Sequence, residues 1–391
     1  MKILIFAEVY YPDVMGGGEF STKQMAEGLA GKGHEVVIRC LGKNRRREII
    51  NGVCVKRMYI KGLSEHFLSN TKNERITDPF TQFDKIIRKW GDIYPSRKIY
   101  EIYRSVIIKE APDIVHTVSP MSYLGRFNLW KVAYDLKIPV SHVCRGPNLL
   151  ELKFMDGRLD SYNKYRNAKA SMYLSALVAP SRYMLMRHNA AGIIGHDINE
   201  VIYNAVDFEA EPLYIDRIEQ KENLILYAGE IKKEKGIGTL LRATEGLRGV
   251  KLLLIGRGNM TGLSDNGIGA EVIDWMERDE LFEYMKRAKA VILPSEWEEP
   301  FGRILIEAVF NGTIAIGSDK GGIPEVLDHN DKYIFKSGSA AALRRRIERV
   351  IKMSPAGYLE EIKSLQTALS GFSNDKYIDK WESFFLKQRE L

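Results

Sequence analysis

Apolar residues along this chain recur in two rhythms. Short, almost unbroken runs read as strands buried on both faces of a parallel sheet, some of them ending in a turn: Lys2-Ile-Leu-Ile-Phe6, Glu35-Val-Val-Ile-Arg-Cys40, Ala111-Pro-Asp-Ile-Val-His-Thr-Val-Ser-Pro120, Asn223-Leu-Ile-Leu-Tyr-Ala-Gly229, Val250-Lys-Leu-Leu-Leu-Ile-Gly-Arg-Gly258 and Ala290-Val-Ile-Leu-Pro294. Between them come stretches with helical spacing, over residues 20–32, 280–287, 304–309, 340–353 and 377–385. Such alternation predicts an α/β chain. Asn51-Gly52, between Glu48-Ile-Ile50 and Val53-Cys-Val55, predicts a hairpin, and Arg45-Arg-Arg47 before it reads as a solvated turn. The polar stretch 209–222, with Pro212, reads as a linker between a first domain, 1–207, and a second, 208–373.

Candidate chemistry gathers after the run Ala290-Val-Ile-Leu-Pro294, in Ser295-Glu-Trp-Glu-Glu-Pro-Phe-Gly-Arg-Ile-Leu-Ile-Glu-Ala308. Pro300 biases Glu299 away from helix, and a helix can start at Phe301 or Gly302. Glu299 then stands on a loop, and Glu307 lies inside the helix. The helix N-terminus between them offers free N–H groups and a partial positive charge suited to a diphosphate. Glu307 can accept from a ribose diol, and Glu299 can meet sugar hydroxyls. Taken alone, the same residues also read as exposed glutamates on a surface helix.

Other candidates carry the same kind of alternative. Gly16-Gly-Gly18 lies between a strand and a helix, as in a phosphate-binding turn. It lacks the G-x-G-x-x-G pattern, so no dinucleotide is expected, and a plain turn is the other reading. His116 ends a strand at the edge where ligands sit in open α/β sheets, or it caps that strand. Ser181 reads as a helix N-cap, and Asn204 and Asp207 as turn-shaping residues. The segment 61–104 mixes aromatic and basic residues. It reads either as a helix resting on an anionic membrane or as one packed on the first domain with its charges in water.

Composition narrows the function classes. A chain of 391 residues is long enough for two full cores, and 45% hydrophobic with 28% charged residues is a globular balance. No apolar run is long enough to span a bilayer, and the apolar start is too short for a signal peptide. Cys40, Cys54 and Cys144 are scattered, which points to a reducing cytoplasm rather than a disulfide framework. The net charge of +7 favours anionic partners without choosing among them. No basic and aromatic pattern marks a nucleic-acid motif. Neither an Asp-x-Asp pair nor His/Cys ligand spacing occurs, so metal-independent chemistry without a cofactor is expected.

The stretch EPFGRILIEA, with seven residues between Glu299 and Glu307, resembles the E-x7-E signature of retaining glycosyltransferases of family 4. Other pieces follow in the family's order over nearly the whole chain. The resemblance implies the GT-B fold: two Rossmann-like domains facing a central cleft, with the last helix, 374–391, crossing back to the first domain. The first domain would be the acceptor side and the second the nucleotide-sugar side. Donor contacts are implied for Gly17, Gly18, Lys235, Gly256, the backbone around Ile273, Phe301, Gly302, Arg303, Ile304 and Glu307. Glu299, His116 and Lys235 form the implied catalytic set, Lys235-Gly236 matching the family's Lys-Gly. Arg145-Gly146 falls where the family has a polar residue at the cleft.

Two positions depart from the pattern. Glu230 stands where Arg is usual, and Val118 where a second His would follow His116. Lys232, Lys233 or Arg303 are candidates for the missing charge; otherwise Glu230 points away. The implied reaction moves a sugar from a UDP- or GDP-sugar to a saccharide or lipid-linked acceptor, with retention. It would take place in the cytoplasm or at the inner membrane surface. A nucleotide-sugar epimerase and a donor-binding subunit without turnover are the alternatives.

Overall fold

A computed structural model describes residues 1–13, 17–59, 97–118, 126–146, 168–207, 213–258 and 270–391. Gly16, Pro212 and residues 61–96 of the basic aromatic segment lie outside the described residues. The chain forms two compact units, Met1–Ile202 with Tyr377–Leu391, and Tyr203–Lys376.

In the first unit, β1 (Lys2–Phe6), β2 (Glu35–Leu41), β3 (Arg46–Ile50), β4 (Val53–Met58), β5 (Ile114–Thr117), β6 (Val140–Val143), β7 (Ala176–Ala179) and β8 (Ile198–Val201) make one sheet. Its order is β3-β4-β2-β1-β5-β6-β7-β8. The hairpin β3–β4 is its antiparallel pair, turning through Asn51 and Gly52 at φ 47° and 83°. Both residues are left-handed, the conformation that matches the twist of a two-residue hairpin. Arg46 and Arg47, expected in a turn, instead pair with Arg57 and Lys56 as the first rungs of β3. Strand β1 has β2 on one side and β5 on the other, so a topological switch point lies at its carboxyl end.

The helix Gly17–Gly31 begins earlier than the periodicity indicates. Ser21 and Thr22 donate their hydroxyls to the carbonyls of Gly17 and Gly18 at 2.9 Å, which draws both glycines into its first turn. The last helix, Asn374–Arg389, packs on the first unit from Tyr377 onward. Tyr377 donates to the Ser21 carbonyl at 3.0 Å, Lys32 pairs with Asp379 and Glu382, and Trp381, Phe384 and Phe385 are buried. Burying each large ring is worth about 1.5–3 kcal/mol, which holds the helix there.

In the second unit, β9 (Leu224–Ala228), β10 (Lys251–Ile255), β11 (Ala270–Ile273), β12 (Ala290–Leu293), β13 (Ile314–Ser318) and β14 (Ile334–Phe335) pair in parallel, in the order β11-β10-β9-β12-β13-β14. Residues 203–207, expected in the first domain, belong here. The Tyr203 ring lies 5.9 Å from Phe301 and 5.5 Å from Phe372, and Val206 donates its N–H to the Phe372 carbonyl at 3.0 Å. The stretch read as a linker contains a short helix, Ile215–Glu219, whose Ile218 is buried. Among the described residues, no helix is long and apolar enough to cross a membrane.

Candidate active site

Strands β9 and β12 are neighbours, so the loops after them leave the same edge of the second sheet. After β9 a single tight turn, Lys233–Lys235, leads to Gly236 at φ 75°, which opens the helix Ile237–Thr244. A Cβ at this position would lie 1.8 Å from the Pro294 carbonyl oxygen. Only glycine lets the two loops touch. Gly236→Ala is therefore expected to cost about 2–3 kcal/mol, read as a lower urea midpoint at unchanged slope. An alanine variant as stable as the parent would show that the two loops are not held against each other.

The same junction is tied by backbone bonds. The N–H groups of Glu296 and Trp297 donate to the Glu234 carbonyl at 2.9 and 3.0 Å. On this frame Lys235 Nζ reaches Glu299 Oε1 at 2.6 Å and lies 5.2 Å from the centre of the Trp297 ring. Ser295 donates its hydroxyl to the same carboxylate oxygen at 3.0 Å. The main chain of Glu299 is held as well, because Gly322 donates its N–H to the Glu299 carbonyl at 2.7 Å. The Lys235 and Glu299 side chains are 20% and 12% exposed, so water screens the pair less than it would at the surface. Burial pushes up the pKa of the nearby Tyr227 phenol, and the charges of Glu299 and Glu230 add to this.

The helix Arg303–Phe310 starts at Gly302, φ 103°, with no side chain capping it. Glu307 lies one turn further on, 8% exposed. Its Oε1 accepts from Arg303 Nε at 2.9 Å and from Arg278 Nη2 at 2.5 Å. Burying a carboxylate this far is costly without such partners. Arg278 comes from a separate element, the first residue of the helix Arg278–Arg287. Glu299 and Glu307 thus flank an uncapped helix start, each in contact with a cation. The helix end and the cations suit an anion, and the carboxylates suit hydroxyl donors.

The description Glycosyltransferase Family 4 matches residues 15–210, and Glycosyl transferases group 1 matches residues 215–364. The chain belongs to glycosyltransferase family 4. An uncharacterized glycosyltransferase of Methanocaldococcus jannaschii is 26% identical over 367 residues, spanning 86% of this chain and 85% of its own length. Among solved structures, sucrose-phosphate synthase of Thermosynechococcus elongatus has a TM-score of 0.72 at 17% identity, covering 99% of this chain and 98% of that one. HepE of Anabaena, solved with UDP and glucose, has a TM-score of 0.68 at 15% identity, covering 98% and 99%. These likenesses give the fold, GT-B, in agreement with the two sheets, parallel apart from the β3–β4 hairpin.

Several residues that the family pattern nominates take part in packing or backbone contacts. Phe301 is buried in the second core beside Tyr203 and Phe372. Ile304 is partly buried against the same core. His116 is fully buried, its ring 5.2 Å from both Trp381 and Phe385, with Nδ1 paired to Ser141 Oγ at 2.8 Å. Buried under the last helix, the His116 side chain packs the first unit. A Cβ on Gly256 would lie 1.9 Å from the Gly229 carbonyl oxygen, so the chain's own backbone already requires glycine there. The Ile273 carbonyl accepts the Gly256 N–H at 3.0 Å and is committed to the sheet.

Glu230, in the family's arginine position, pairs with Lys232 at 2.5 Å, both sides about half-exposed. Of the candidates for the missing charge, Lys232 is therefore held by Glu230, and Arg303 binds Glu307. In the first unit, Gly17 is exposed, and the Arg145 stem lies 3.6 Å from where a Cβ on Gly18 would be. Sequence reasoning did not find Arg278. It lies 29 residues before Glu307 on another helix, and no spacing rule joins the two.

Proposed function

We propose that this family 4 glycosyltransferase moves a hexose from a nucleoside-diphosphate sugar to an acceptor hydroxyl, with retention and without a metal ion. One observation carries the reading: Lys235 and Glu299 in contact before an uncapped helix start, and arginine-held Glu307 just inside it. Lys235 and the helix N–H groups take up the diphosphate and oppose the charge that grows as it leaves. Glu299 orients the sugar hydroxyls and Glu307 accepts from the ribose. The acceptor attacks on the face the diphosphate leaves, and the diphosphate takes its proton. Glu299 is not assigned as a base, since its Oε1 already accepts from Lys235 and Ser295.

The first unit, with Gly17 and Gly18, is assigned the acceptor side, and the acceptor is a saccharide or lipid-linked hydroxyl at the cytoplasmic face. Uridine is the favoured base, because HepE, similar in fold, was solved with UDP. The test is a panel of nucleotide-sugars read by thermal shift, then by product mass and anomeric coupling. A donor at a hundred times its Kd stabilises the folded chain by about 2.7 kcal/mol. The expected result is one shifted donor and a new glycoside with the donor's anomeric configuration, formed equally with a chelator present. Inverted coupling overturns retention, and isomerised donor indicates an epimerase. No shift from any nucleotide-sugar overturns the proposal. Binding without turnover favours a donor-binding subunit, the reading to which Glu230 at the arginine position lends support.

A further inference from the structure

We infer that Arg278 is a positioning residue for the donor's ribose: it holds Glu307 so that one carboxylate oxygen is occupied and the other is left for the 2′,3′-diol. The inference rests on the donor-binding reading above. Both guanidinium contacts to Glu307 fall on Oε1, and among the described residues none falls on Oε2. A carboxylate oxygen accepts about two hydrogen bonds, so Oε1 is full and Oε2 keeps its whole capacity. A vicinal diol brings two O–H donors side by side, and a single oxygen with two free acceptor positions matches it.

Arg303 cannot fix this orientation alone. It sits four residues before Glu307 on the same helix and moves with it. Arg278 reaches across from another element. It follows β11 after a short loop, and Asp274 on that loop accepts from the Trp275 N–H at 2.6 Å and from Arg257 Nε at 3.2 Å. Strand β11 is paired along β10, so the contact ties Glu307 to the edge where those two strands end. The Phe282 ring, 5.2 Å from the Arg278 guanidinium, supports it from its own helix. At 29% exposure Arg278 is open enough for the site to be reached, while Glu307 is not exposed enough to be held by water alone.

The test is calorimetric binding of UDP and 2′,3′-dideoxy-UDP to the full chain and to Arg278→Met, Arg278→Lys, Glu307→Gln and, as a control on the same helix that pairs with Glu283, Lys286→Ala. The parent is expected to prefer UDP by about 10-fold or more, the worth of a charged hydrogen bond. Arg278→Met narrows that preference to about twofold and leaves dideoxy-UDP affinity nearly unchanged, as expected for the loss of a charged hydrogen bond to the diol alone. In turnover it raises the donor KM more than it lowers kcat. Arg278→Lys keeps the charge without the fork and gives an intermediate preference, which also covers the case in which the methionine variant does not fold. If Arg278→Met weakens both nucleotides alike, or keeps the parent's preference, the inference falls while the donor reading stands. If the parent binds neither nucleotide, the donor reading falls and takes this inference with it. A parent that binds both equally removes the ribose role from Glu307 and Arg278 together.

Discussion

Lys235→Ala is expected to lower turnover of the donor by about 10²–10³-fold, the size of loss seen when one preorganised charge-stabilising donor is removed. The expectation follows from which cations are already engaged. Lys232 is paired with Glu230, and Arg303 and Arg278 both point at Glu307. The family's arginine is absent from its usual place, where Glu230 stands. Lys235 is then the cation in contact with Glu299, and among the described residues no second one pairs with that carboxylate. Glu299 keeps the Ser295 hydroxyl after the substitution, so the loop should hold its form. Steady-state kinetics with a matched donor, alongside a melting curve, check this. A loss under about threefold in a folded variant would place the neutralisation of the diphosphate elsewhere.

A second large effect is expected in acid. Burial, with the Arg145 charge adding, holds His116 near a pKa of about 3. His188 is held near about 4, again chiefly by burial; the bond from its Nδ1 to the Met184 carbonyl opposes this, and the Arg187 charge adds to it. Both ordinarily titrate near 6.5. The folded first unit keeps these rings neutral, whereas the unfolded chain protonates them as pH falls through that value. Proton uptake therefore favours unfolding. The stabilisation is complete above pH ~6.5 and is lost as pH drops toward the folded-state values. The loss by pH ~4.5 is on the order of 3–5 kcal/mol. Urea midpoints at neutral and acid pH, compared between the parent and His116→Gln with His188→Gln, read it directly. The double variant should be weaker at neutral pH and flatter with pH; equal slopes in both would remove the histidines as the cause.

Much of the fold could be read from local pattern. The apolar runs at Leu224–Ala228, Lys251–Ile255 and Ala290–Leu293 became strands because each is buried in the sheet, which demands unbroken apolar residues. Asn51-Gly52 made its hairpin because few other pairs accept two left-handed residues. Helix starts were read less well. The helix at Gly17 begins on glycines, which propensity places outside it, because Ser21 and Thr22 reach back to their carbonyls. In the site, Glu299 on a loop and Glu307 in a helix followed from Pro300 and the spacing of Ile304, Leu305 and Ala308. That Tyr203 and Phe372 enclose Phe301 did not, since nothing in its chain neighbours shows it.

By itself the sequence determined where strands alternate with helices, that a Glu pair brackets a helix start, and that a Lys-Gly step follows the first strand of the second unit. Each of these lies within one or two turns of chain, where the periods of strand and helix leave a visible trace. Only the tertiary structure decided that Gly236 must meet Pro294, that Arg278 grips Glu307, and that His116 is sealed under Trp381 and Phe385. Those contacts join elements far apart in the chain, and packing rather than spacing selects them.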